Sequence, residues 1–312
     1  MSSSGTGRRL TVWIVIAIVV VSGVAFASGY YLGKLRGEDS AGIAVIDDYG
    51  RTIEIRGIPE RIVTTAPTPT EIVFAVGAGD LVVGVDDYSD YPLEAAALPK
   101  VGNVELNTEM IMALSPDLII SSDLVPLAQL QQLEEQGIPY IILAARTIND
   151  VFKDLLMVGF ITGHVSEANV LVDQLQSRVA AVTAKTLAEN VTKPRVYVEY
   201  YPMWTYGPES FGDDLIRLAG GTNVAFNTSA EYVAVTDEFV IAQDPEVIVY
   251  TVGPTYDGTN PTTISSRSGW SGITAVVTGN IQSLDDNLIS RYGPRIVDAL
   301  EQLALIVHPE LY

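Results

Sequence analysis

The chain contains no cysteine. That excludes a disulfide framework, a thiolate metal site and a lipid-modified N-terminal cysteine. Histidine is almost as scarce, with only His164 and His308, far apart and each following a run with helical spacing. A transition-metal carrier wants three or so His or carboxylate ligands, so no metal site is expected and both read as helix-end residues. Lysine occurs only at 34, 100, 153, 185 and 193, and 18 basic residues face 38 acidic ones for a net charge of -20. Arg8, Arg9, Lys34 and Arg36 against Glu38 and Asp39 leave residues 1–40 at +2 and the remainder at -22. A body this acidic is a poor partner for nucleic acid or an anionic membrane, because phosphate contact needs clustered cations. Its acidic residues are spread rather than blocked, which fits a solvated surface or adaptation to salt. Catalytic signatures are also missing: there is no G-x-S-x-G elbow, P-loop or H-E-x-x-H. Gly77-x-Gly79 lacks the third glycine of a dinucleotide fingerprint and follows a helix rather than a strand. It reads as a helix stop. The sequence therefore predicts a protein without enzymatic activity and without a resident cofactor.

What is present begins with one long apolar run. Leu10 to Tyr31 carries no charge and follows Arg8-Arg9. Residues 10–33 fit a membrane-spanning helix of about 20 residues, with residues 1–9 in the cytoplasm by the positive-inside rule. Ala25-Phe26-Ala27 also has the A-x-A form of a signal-peptide cleavage site. The length of the run favours an uncleaved single-pass anchor, and either reading puts the body on the extracytoplasmic side. Residues 34–60 read as a linker and a hairpin, with the turn at Asp47-Asp48-Tyr49-Gly50.

Arg61 to Pro92 reads as strand, loop, short helix, Gly-rich turn, strand and aromatic loop. Thr70 suits the N-cap of a helix over Glu71–Val76, with Glu71 in the first turn. Pro67 and Pro69 stiffen the loop before it. Short helices are expected at 92–98 and 108–114, and longer ones at 127–136 and 148–163. Strands fall at 117–121 and 139–143. Residues 61–165 thus alternate strand and helix, as a parallel sheet with covered faces does. Ser166 to Asn190 has no Gly or Pro and an apolar repeat at Ala168, Leu171, Leu175, Val179 and Val182. About 25 helical residues span nearly 40 Å, as a packing helix or a connector. Residues 191–312 repeat the alternation, with strands at 195–200, 246–250 and 280–284 and helices at 211–219, 236–242, 270–276 and 294–307. SPDLII in the first half is answered by DPEVIV in the second.

These words resemble those of the ABC-importer solute-binding proteins for cobalamin and iron-siderophores. The matching stretches are RIVTTAPTPTEIVFAVGAGD, VVGVDDYSDYP, LPKVGN, ALSPDLIIS, GPES with LIRLAGGTNV, and RYGPRIVDALEQLALIVHPE. They run in family order from about Val45 to the C-terminus. The resemblance implies α/β architecture: two parallel-sheet lobes joined by a single backbone helix, here 166–190. It implies capture of a ferric siderophore, corrinoid or haem in the inter-lobe cleft, and delivery to an ABC permease and its ATPase. It also implies that Glu71 and Glu209 are exposed carboxylates docking on the permease, one per lobe. Aromatics of cobalamin binders fall at Tyr88, Trp204 and Tyr232, whereas two tryptophans there are matched by Val104 and Ser122 here. Tyr91 and Tyr206 are further aromatic candidates, Tyr91 a structural one. Pro67 and Thr68 suit the cleft floor, and Arg291, Arg146 and Tyr256 are donors toward an anionic chelate. A membrane-anchored sensor domain and a surface hydrolase are the other readings. Asn190-Val-Thr and Asn227-Thr-Ser are sequons compatible with export.

Overall fold

The computed structural model describes residues 42–253 and 259–312. The expected membrane segment at 10–33 and Tyr256 lie outside these residues. Among the described residues no helix is long and apolar enough to cross a membrane.

A hairpin of β1 (Ile43–Ile46) and β2 (Thr52–Ile55) comes first. The chain then alternates through β3 (Ile62–Thr64), α1 (Pro67–Ala75), β4 (Val82–Gly84), α2 (Leu93–Ala96), α3 (Thr108–Leu114), β5 (Leu118–Ser122), α4 (Leu127–Glu135), β6 (Tyr140–Leu143) and α5 (Ile148–Ile161). The four strands β3 to β6 form one parallel sheet in the order β4-β3-β5-β6. Its β6 edge is covered by the hairpin turn. The Asp47 carboxylate accepts the Ile142 N–H at 3.2 Å, and the Asp48 carboxylate accepts the Ala144 N–H at 2.6 Å. An uncovered edge of unpaired backbone groups would invite strand addition. Behind the turn, on α5, Asp154 is fully buried and no donor reaches either of its carboxyl oxygens. Burial, then the charges of Asp48 and Asp150, push its acid well above the usual carboxylate range. The shift favours the neutral form of Asp154 beside Asp48, where one shared proton would serve both carboxyl groups.

The start of α1 corrects the expected helix over Glu71–Val76. Ala66 is the N-cap and Pro67 is the first helical residue. Proline is well suited there, since its missing N–H is one the helix would leave unbonded. Thr70 is thus inside the helix, where its hydroxyl bonds Ala66 O at 2.9 Å, Thr64 Oγ1 at 2.6 Å and Ser89 Oγ at 2.7 Å. Pro67 and Thr68 belong to the first turn, not to a loop.

Helix α6 (Val165–Thr186) follows α5. Its 22 residues span about 33 Å, ending before the expected Asn190 because the last turn opens at Leu187. Beyond it lie β7 (Arg195–Tyr201), β8 (Trp204–Tyr206), α7 (Phe211–Leu218), β9 (Thr222–Asn223), β10 (Tyr232–Ala234), α8 (Asp237–Gln243), β11 (Val247–Val252), α9 (Pro261–Ser265), α10 (Thr274–Thr278), β12 (Ile281–Asp285), α11 (Asp286–Ile289) and α12 (Ile296–Val307). The second sheet runs β10-β8-β7-β11-β12, with β9 also on β7. Only β7, β9, β11 and β12 are parallel. Strands β8 and β10 are antiparallel, which corrects the expectation of a purely parallel second lobe. The reversal is made by Pro202-Met203 between Tyr201 and Trp204, with Met203 at φ 63°. Proline followed by a positive φ is the pattern of a type II turn, and methionine there gives no sequence warning. The helix expected over 270–276 is split into a short 3₁₀ turn at Trp270–Gly272 and α10.

Strand alternation explains why the two sheets share a core. Ile62, Leu118, Ile120 and Ile141 from the first sheet and Val196, Val198, Val247 and Val249 from the second face one cluster, which also takes α5, α6, α7 and α12. Their neighbours Val63, Ile119 and Ile142 face a second cluster under α3 and α4. Tyr197, Ile248 and Tyr250 face a third with Trp270. The central strands are used on both faces, as in sheets covered on both sides, and each fully buried Ile or Leu contributes about 1.5–3 kcal/mol. Close packing of α5 on α6 depends on Gly159, where a Cβ would lie 2.3 Å from that of Ala168.

Candidate functional site

The carboxyl ends of the two sheets face each other, where α/β proteins place ligand crevices. Several ties cross between the lobes. Arg295 forks onto Glu71 at 2.9 and 2.6 Å, and Arg291 reaches Glu71 at 3.4 Å and Asp90 at 2.6 Å. The Tyr292 N–H donates to Thr68 Oγ1 at 3.1 Å, and the Ile148 N–H donates to Asp214 at 3.0 Å. At the mouth, the Arg146 guanidinium pairs with Glu231.

Glu71 corrects the sequence reading most sharply. It is 2% exposed and locked between two guanidinium groups, so it is not an exposed carboxylate at a tip. Breaking a buried pair of this kind by removing one partner costs about 3–5 kcal/mol. The Glu71 hydrogen bonds, outweighing burial, in turn raise the Arg295 pKa. Arg295 also lies 3.9 Å over the ring of Tyr91, which fits Tyr91 as a structural aromatic. In the first turn of α3, by contrast, Glu109 is exposed. Glu209 is also exposed, at φ 63° in the Gly207-Pro208-Glu209-Ser210 turn, whose Ser210 Oγ donates to Gly207 O at 2.7 Å and caps α7.

Of the aromatic candidates, Tyr88, Trp204 and Tyr232 are 65%, 39% and 40% exposed on the edge loops and strands. Tyr206 is 2% exposed, which corrects its placement on the cleft surface. Its ring lies under the cleft, 4.9 Å from Tyr200 and against Gly212, where a Cβ would come within 2.1 Å. Alternation alone would give Trp204 and Tyr206 the same face; Tyr206 is buried because Tyr200 and Tyr232 pack around its ring, whereas Trp204 starts the strand at the exposed turn.

Sequence reasoning missed Tyr292, Tyr200, Glu231, Leu124 and Phe226. Tyr292 stacks on Phe211 at 4.2 Å and shares a 2.7 Å hydroxyl bond with Tyr232. Burial, then the nearby Tyr206 and Tyr232 hydroxyls, push its phenol well above the usual range, so it presents a neutral O–H. Leu124 and Phe226, 68% and 59% exposed, add apolar surface on loops of opposite lobes. The signal for Tyr292 was its place in RYGPRI, while Phe226 had none beyond NVAFN. A cavity of about 590 Å³ beside Tyr232 is lined by Pro208, Glu209, Thr228, Ser229, Ala230 and Glu231. Among the described residues no three His, Asp or Glu side chains converge to hold a metal ion. His164 and His308 sit at helix ends, His308 buried with Nδ1 2.9 Å from Glu310.

Comparison with known proteins agrees with this geometry. The chain is 29% identical over 317 residues to an ABC transporter substrate-binding lipoprotein, YvrC of Bacillus subtilis, covering 98% of this chain and 99% of the relative. The periplasmic vitamin B12-binding protein BtuF of Vibrio cholerae superposes with a TM-score of 0.71 at 25% identity, over 81% of this chain and 98% of that one. The periplasmic heme-binding protein RhuT from Roseiflexus sp. RS-1 superposes with a TM-score of 0.72 at 27% identity, over 81% and 99%. A family model described as periplasmic binding protein matches residues 62–288, through both sheets and the helix between them, and the chain belongs to that family.

Proposed function

We propose that this protein captures a metal-chelate nutrient (a corrinoid, haem or ferric siderophore) in the cleft between its sheets and hands it to an ABC importer. One observation carries the reading. The aromatic surface of Tyr88, Trp204 and Tyr232 stands at the facing carboxyl edges of a fold that superposes over nearly the whole of a B12-binding and a heme-binding protein. Flat conjugated macrocycles and greasy chelates are held by such surfaces, with few polar contacts. Pro67 and Thr68 close the floor beneath them. Binding, not catalysis, is the role, as the family match supports.

Glu209 is the carboxylate best suited to meet a permease. It is exposed and held in a left-handed conformation that costs a non-glycine residue about 1–2 kcal/mol. Backbone held that way aims the side chain outward, and exposed charges fix orientation and encounter rate more than affinity. Glu71 takes the other task of tying the lobes. The body works on the extracytoplasmic side. The apolar run at residues 10–33 would serve export, holding the body at the membrane if it stays uncleaved.

Fluorescence titration with cyanocobalamin, haem and ferric hydroxamates tests the reading. One chelate quenches tryptophan emission saturably at micromolar concentration or below, and Trp204→Phe weakens its affinity by about tenfold, roughly 1.4 kcal/mol. No saturable binding of any chelate would sink it.

A further inference from the structure

The resemblance to chelate carriers leaves the charge of the ligand open, and the cleft itself speaks to it. Among the described residues, every guanidinium at the carboxyl edges of the sheets is already matched by a carboxylate of the protein. Arg146 pairs with Glu231 across the mouth, and Asp123 lies near enough to feel the same charge. Arg291 is held by Asp90 and Glu71, and Arg295 by Glu71. Arg267 forks onto buried Glu199 at 2.6 and 2.7 Å. The ammonium of Lys100 is taken by the carbonyls of Asp86 and Ser89 at 3.1 and 2.7 Å. Among the described residues, Arg56, Arg61 and Lys193 make no ion pair and precede the first strands of the sheets, away from the cleft, Arg61 donating to Leu114 O, while Lys185 lies on α6 beside Tyr312.

Apart from Glu231, several carboxylates here are not balanced in this way. The cavity beside Tyr232 is lined by Glu209 and Glu231 and by no cation. Asp87 and Asp123 are exposed on the loops after β4 and β5, and Asp285 at the end of β12. Among the described residues an anionic ligand entering here finds each nearby guanidinium already paired, and it competes with Glu231 for the half-exposed Arg146. The displaced or neighbouring carboxylate then repels the anion, an effect that solvent screens in part at this half-exposed site.

We propose that the cleft selects a metal chelate with no net negative charge, and that Glu231 sets this preference by occupying Arg146. The proposal rests on the chelate-carrier reading above and narrows it to neutral and cationic ligands. Glu231 acts through Arg146, so it is a positioning residue. Discrimination of this kind comes from what the site withholds from the wrong ligand as much as from what it offers the right one.

The test titrates the full chain in mild detergent with cyanocobalamin and ferrioxamine B, which carry no net negative charge, and with haem and ferric citrate, which do. The wild type binds its best neutral or cationic probe at least about tenfold more tightly than either anionic one. Glu231→Gln frees Arg146 and shifts the anionic-to-neutral affinity ratio by about tenfold or more toward the anion. Arg146→Gln in the same chain reverses the shift, and Glu231→Asp keeps the wild-type ratio. Tighter wild-type binding of haem or ferric citrate overturns the proposal. So does a Glu231→Gln variant that strengthens all probes equally, since that is the mark of a steric latch rather than of charge. Failure of all four probes to bind overturns the carrier reading and this inference with it.

Discussion

Glu71 and Asp154 are two buried acids with opposite solutions. Glu71 is a carboxylate answered by Arg291 and Arg295, more than 200 residues away in the chain. No local pattern carries such a partner, and Thr-Glu before an apolar run looks the same at a solvated helix start. Thr70 was misread for the same reason: its hydroxyl partners Thr64 and Ser89 come from tertiary packing. Asp154 has no cation and keeps its proton. Because its folded pKa is raised, the folded state holds a proton that the unfolded chain releases at lower pH. Its contribution is full below the unfolded pKa and is lost as pH rises toward the folded one. Asp154→Asn supplies a permanent donor to Asp48 and has no such dependence. The variant should match the wild type near about pH 4 and exceed it increasingly toward about pH 8, read from urea midpoints across that range. A constant difference would show that Asp154 does not hold the proton.

At the scale of elements, the sequence was most readable where punctuation is local. Helix α3 covers the expected 108–114 and stops at Ser115-Pro116, and its start is capped by Asn107 accepting the Met110 N–H. The parallel strands β3, β5, β7 and β11 announced themselves as short β-branched runs. Strands β8 and β10 did not, because three residues carry too little periodicity to register and their pairing depends on a turn built by Met203. The contact between α5 and α6 was hidden too, since a glycine inside an apolar helix does not say what approaches it. Gly159→Val forces the two helices apart and should lower stability by about 1–3 kcal/mol, seen as a fall in Tm. An unchanged Tm would mean that α6 can move away without loss.

For the whole molecule, two lobes and one long helix were legible through the order of family words, and the family match agrees with that reading. The inter-lobe ties were not legible. Those ties, with α6 packed into a core common to both sheets, argue against wide opening. Small-angle scattering of the ligand-free and ligand-loaded protein should fit a lobe rotation below about 10°, in contrast to carriers hinged on flexible loops. A rotation of tens of degrees would contradict the common core.

The position of Arg291 and Arg295 near the end of the chain has a consequence for biogenesis. The first sheet is complete by Leu143, so during export its strands can pair while later residues are still being delivered. Glu71 is then delivered long before its partners, which follow more than 200 residues later in the chain. Joining of the lobes is the final event of assembly, and a chain interrupted before Arg291 ends with an unneutralised acid at its centre. A quality-control protease that reads loosely joined lobes would have a built-in means of telling finished molecules from truncated ones.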